Sequence, residues 1–214
     1  MPKKPTHPII LQAIDYAYEK ALQGLPGMDS AEALAQNYLK QNGTLIENVN
    51  SLIRWQNAKA GSSGFVTGLG GFATLPIAVP ANLVSVLYFQ VRMIAAIASM
   101  GGYDLRDDRV KSLVSVCLAG NMAKDILQEI GIRLGTRITA QMIGRMTEST
   151  IIAINRKVGF ILLSKTSGTG VINLGKAVPL AGGLIGGSID AITTNIIGNI
   201  ARNTFIQSGN PESR

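Results

Sequence analysis

Residues 61–103 carry a single charged side chain, Arg92, and this stretch limits the possible folds more than any other feature of the chain. A segment that poor in charge has to leave water, either for a protein core or for a bilayer. It opens on a glycine-rich run, Gly61-Ser-Ser-Gly64-Phe-Val-Thr-Gly68-Leu-Gly70-Gly71-Phe-Ala-Thr-Leu-Pro76. A matching run, Val178-Pro179-Leu-Ala-Gly182-Gly183-Leu-Ile-Gly186-Gly187-Ser-Ile-Asp190, stands near the other end. Each leads into a long apolar pattern of helical period. Glycine at such spacing lets helix backbones approach closely.

No stretch offers the roughly 20 uninterrupted apolar residues that a spanning helix needs. Leu75–Gln90 comes nearest, but it holds two prolines and Asn82, and Ala177–Ile189 is too short alone. The charge-poor stretch is therefore expected in a protein core, with conditional membrane insertion left open. Strand signals are nearly absent, and apolar residues recur at three- and four-residue spacing. The expected fold is all-α: one compact bundle of about seven to nine helices, with the two glycine-rich apolar segments at its centre. Residues 1–44 are expected to form a helical extension packed on the core, 45–206 the main domain and 207–214 a disordered tail.

Local signals place the helices. Pro8 suits the opening of a first helix that Gly24-Leu-Pro-Gly27 ends. Ser30 caps a second, which Asn42-Gly43 stops. Thr44 and Glu47 form a capping box for a third. The apolar run to Ala98 is the expected central helix, ended by Gly101-Gly102. Asp104 and Asp107 mark the next start. Gly120, Gly131, Gly135 and Gly144 divide residues 105–157 into two or three amphipathic helices, and Val158–Ser164 reads as a short apolar run. A last helix follows the second glycine segment to about Ile206.

Chemistry is scarce. His7 is the only histidine and sits in a proline-flanked tail, so a Ser–His–acid triad has no natural seat. Zinc sites draw on several Cys and His ligands, and Cys117 is the only cysteine, read as a small core residue in a reducing cytoplasm. Gly175-Lys176 lacks the Ser/Thr and the strand of a phosphate loop. No catalytic residue, metal or cofactor is assigned. Asp104, Asp107 and Asp108, beside Arg106 and Arg109, suit helix capping better than a cation site or an acid–base pair. Asp190 is alone among apolar residues and needs a partner, with Lys176 or Arg92 as candidates. Arg133, Arg137 and Arg145, with Gln141 between them, would line one side of a helix as a cationic ridge for an anionic surface. The net charge is +7. With 5% aromatics and no recognisable module, nucleic acid is not the expected partner. An anionic membrane face is.

Thr67-Gly-Leu-Gly-Gly-Phe-Ala-Thr-Leu-Pro76, then Phe89-Gln90-Val-Arg92-Met-Ile-Ala-Ala-Ile-Ala98 and Gly102-Tyr103-Asp104, resemble the signature of the EcsC family. Val178–Asp190, continued by Asn195-Ile-Ile-Gly-Asn-Ile-Ala201, is similar to its second block. The resemblance covers roughly residues 45–206. A helical domain attached to some bacterial Era-like GTPases is similar at Leu75-Pro76, Gln90-Val-Arg-Met93 and Gly101-Gly102-Tyr103. The resemblance implies an all-helical bacterial protein whose founding relative is encoded beside an ABC exporter, and it carries over no catalytic residue. The expected role is non-enzymatic: a cytoplasmic protein at or near the inner membrane face, accessory to a transporter or envelope process. Its partner would be an anionic membrane surface or a membrane protein. The alternatives are a homo-oligomeric or partner-binding scaffold and a lipid-binding or hydrolase-like protein with an apolar pocket near Asp190.

Overall fold

The structure is a computed structural model and describes residues 7–61, 81–132, 138–166 and 182–206, with 59–61, 81–83, 165–166 and 182–190 described by their backbone alone. Within these residues the chain forms nine α-helices and one 3₁₀ turn, with no strand. They are α1 (His7–Gln23), α2 (Ala31–Leu39), α3 (Leu45–Gly61), α4 (Ala81–Met100), α5 (Asp108–Leu118), α6 (Ala123–Glu129), α7 (Ala140–Gly144), α8 (Glu148–Thr166) and α9 (Gly182–Phe205). The all-α expectation holds. The first glycine-rich run, including Gly64, Gly68, Gly70, Gly71 and Pro76, lies outside the described residues, as does the 207–214 tail.

The capping chemistry acts where the sequence puts it. The Ser30 hydroxyl accepts from the Ala33 N–H at 3.1 Å. Glu47 accepts from the Thr44 N–H at 2.7 Å while the Glu47 N–H donates to the Thr44 hydroxyl at 3.3 Å, closing a reciprocal box. Asp107 is the N-cap of α5, accepting from the Arg109 N–H at 2.8 Å.

α4 is the axis of the bundle. From Val84 to Met100 every side chain is buried except the half-buried Val86 and Ser99. A helix apolar all round is stable in water only when neighbours enclose it; here α1, α2, α3, α5 and α9 all pack on it. α1 also packs on α8, and α1 and α2 contribute buried residues to the core.

Close helix approach does occur at glycines, at positions the sequence did not single out for it. A Cβ on Gly198 of α9 would lie 2.9 Å from Ile53 of α3, and one on Gly159 of α8 would lie 2.8 Å from the His7 ring of α1. A Cβ on Gly101 would lie 2.6 Å from the Phe205 carbonyl oxygen. His7 accordingly opens α1 instead of sitting in a tail, and its Nε2–H donates to the Arg156 carbonyl at 2.8 Å.

Two further expectations need correction. The boundary expected after residue 157 is absent: Val158–Ser164 is the second half of α8, because Glu148 at its first turn starts a helix that nothing interrupts before Thr166. Arg133, Arg137 and Arg145 do not share one helix: Ile138 is non-helical, and Thr139 is an extended N-cap that starts α7 anew, its hydroxyl accepting from the Met142 N–H at 3.2 Å. Arg145 is the exposed C-cap of that short helix, whereas Arg133 and Arg137 lie outside the described residues.

Candidate functional site

The Gly-Tyr-Asp signature is a structural joint. Gly102 has φ +83°, a conformation that favours glycine, and it ends α4 in a Schellman arrangement. The Tyr103 N–H donates to the Ala98 carbonyl at 3.1 Å and the Gly102 N–H to that of Ser99 at 2.9 Å. The turn throws the Tyr103 ring edge-on against Phe205, centroids 5.2 Å apart, and its hydroxyl donates to the Ile138 carbonyl. One residue thus fastens the end of α4 to the end of α9 and to the strap before α7. Just beyond, the Leu105 carbonyl accepts from the Tyr18 hydroxyl at 2.7 Å, joining α1; burial, reinforced by nearby carboxylates led by Asp104, pushes that phenol well above its usual range.

Arg92 and Gln90 are buried on α4 at 7% and 8% exposure. Arg92 makes no ion pair among the described residues; its Nε–H donates to the Asp29 carbonyl at 2.7 Å, holding the turn before α2. Burial lowers the pKa of this guanidinium. Gly182, Gly183, Gly186, Gly187 and Asp190 fall within the helical backbone of α9, and Pro179 and Lys176 lie outside the described residues. Cys117 is fully buried and its thiol is pushed up to about 12 by desolvation, which suits a core residue and not a nucleophile. Among the described residues no group of three or more His, Cys, Asp or Glu side chains is placed to hold a metal ion.

Asp104 accepts from the Arg106 N–H at 2.8 Å and stands on the rim of a groove of roughly 770 Å³. The walls come from α1 (Asp15), the turn before α5 (Asp104, Arg106, Asp107), α5 (Asp108, Arg109, Lys111, Ser112, Ser115), Met146, and the first half of α8 (Glu148, Ile151, Ile152, Asn155). It is a mainly charged groove whose lining includes the apolar Met146, Ile151 and Ile152; the side chain of Asp190 lies outside the described residues. Its cations are already engaged: Lys111 with Asp15 at 2.8 Å, Arg109 with Asp107 at 3.7 Å, and Arg106 with Glu32, outside the groove, at 3.2 Å.

The second surface feature is the outer face of α8. Ile152 is 52% and Phe160 66% exposed, with exposed Arg156 between them at four-residue spacing. The opposite face buries Ile154, Val158 and Ile161. Sequence reasoning missed this face because it split α8 in two. The available signal was a helix apolar on both sides, only one of which a core can cover. Trp55 on α3, 53% exposed beside exposed Arg54, repeats the pairing of a large ring with a cation.

No helix among the described residues is long and apolar enough to cross a membrane. No curated protein and no solved structure matched the chain. A family model does match, that of the EcsC protein family. That model spans residues 1–207 and takes in the two N-terminal helices that the motifs did not reach; the chain belongs to the EcsC protein family.

Proposed function

We propose that this chain is a non-enzymatic peripheral protein of an anionic membrane face, accessory to a transporter or envelope process, and that the outer face of α8 makes the membrane contact. The observation that carries the reading is the exposed row Ile152, Arg156, Phe160. Phe160, 66% exposed, gains by entering the headgroup–acyl boundary. Arg156 can lie its stem along the same apolar surface and present its guanidinium to phosphate. Each cation near such a surface is worth about 1 kcal/mol, and the net charge of +7 supplies the long-range attraction.

Flotation with vesicles tests the reading. The protein is expected to rise with phosphatidylglycerol-containing vesicles at low salt, less at high salt, and to stay down with neutral phosphatidylcholine. A protein that stays at the bottom of the gradient under all three conditions sinks the membrane reading.

A further inference from the structure

We propose that the groove between α1, α5 and α8 is a docking site for a lysine- or arginine-rich segment of another polypeptide that carries a large apolar side chain. Two independent features of the groove point to that occupant. The first is charge. In a chain of net charge +7 its walls hold five carboxylates, Asp15, Asp104, Asp107, Asp108 and Glu148, against three cations. Those cations are spent on Asp15, Asp107 and the outlying Glu32, so Asp104, Asp108 and Glu148 face the groove with no ion pair among the described residues. Asp108 and Glu148 open α5 and α8, where a carboxylate steadies the helix. That role does not call for the second feature, the apolar Met146, Ile151 and Ile152 in the same lining, the last of them 52% exposed. Carboxylates and apolar side chains in one lining match a cationic segment that also carries a hydrophobic residue.

The occupant's source follows from position. Ile152 belongs both to the groove and to the α8 face assigned above to the membrane, so the groove opens beside that face. Polypeptide segments rich in Lys and Arg border transmembrane helices on their cytoplasmic side. This last step rests on the membrane reading; the charge and shape of the groove do not.

The test uses the whole chain and no lipid, so its failure is separate from failure of the membrane reading. The probe is a fluorescent, amidated 14-residue peptide of lysines and leucines, with a counterpart in which glutamate replaces each lysine. Anisotropy is expected to show the lysine peptide binding at low salt and the glutamate peptide not binding. The double variant Asp108→Asn with Glu148→Gln should weaken binding at least tenfold, and Ile152→Ser, which changes no charge and deletes an exposed side chain, at least fivefold. Because the +7 chain as a whole repels the probe, binding has to be local. Should the double variant melt early by circular dichroism, Ile152→Ser decides. A lysine peptide that does not bind, or that binds Ile152→Ser as tightly as the parent chain, overturns the proposal.

Discussion

Gly101 and Gly198 both sit where a methyl group has no room, yet substitution should cost them differently. The Cβ of an alanine at 101 would meet the Phe205 carbonyl oxygen at 2.6 Å, which is backbone and cannot swing away without moving the end of α9. At 198 it would meet both γ carbons of the buried, β-branched Ile53 at 2.9 Å, so relief needs Ile53 and its helix to shift by a few tenths of an ångström. Gly198 also lies inside α9, where alanine gains up to about 1 kcal/mol of helix propensity over glycine. Gly101→Ala is therefore expected to destabilise by about 1–3 kcal/mol, and Gly198→Ala by clearly less, in urea unfolding followed by circular dichroism. Equal losses at the two positions would contradict this account. The comparison also shows the reach of the sequence at this scale. It marks glycines at 182–187 as crossing points because they cluster. Crowding depends on what stands opposite, which one chain position does not encode, so Gly101, Gly159 and Gly198 become legible only once α1, α3 and α9 are in place.

At the scale of elements the sequence is more talkative, because caps and breaks are local. Ser30, the Thr44–Glu47 box, Asp107 and Gly102 act where they were expected. The single helix expected to run on to Arg145 stops for the same local reason: Thr139 caps α7, and a cap ends continuity, while Arg133 and Arg137 lie outside the described residues. α8 was cut short because its buried and exposed apolar residues, read as one run, hid the helical period. The capping box at the start of α3 also carries a pH dependence. Bonds from the Thr44 N–H and hydroxyl to its carboxylate hold the Glu47 pKa below its usual value of 4.5. A depressed folded-state pKa gives stability that is present above the unfolded value and is lost as pH falls through the folded one. Glu47→Gln should thus lower the melting temperature at pH 7, and the gap should narrow below about pH 4.5 and close below the folded pKa. A gap that stays constant with pH would show that the carboxylate charge is not what the box uses.

Across the described residues, charge and exposed apolar surface lie side by side. The chain is basic overall, yet its groove is acidic, and between the two runs α8, with Ile152 and Phe160 open to water and Arg156 between them. The fold class was legible from the three- and four-residue spacing of apolar residues, and the enclosure of residues 84–100 from their lack of charge. The groove was not, because Asp15, Asp104, Lys111 and Glu148 come from parts of the chain that only tertiary packing brings together. The central claim is that α8 meets the membrane with its Phe160 face, and a single-tryptophan chain tests it most directly. Trp55 is the only tryptophan, so Trp55→Phe combined with Phe160→Trp places the one indole on that face. With vesicles containing phosphatidylglycerol and brominated acyl chains, the account predicts a blue-shifted emission that the bromines quench, absent with neutral vesicles. Emission that remains that of a water-exposed indole, unquenched at saturating anionic lipid, would contradict it.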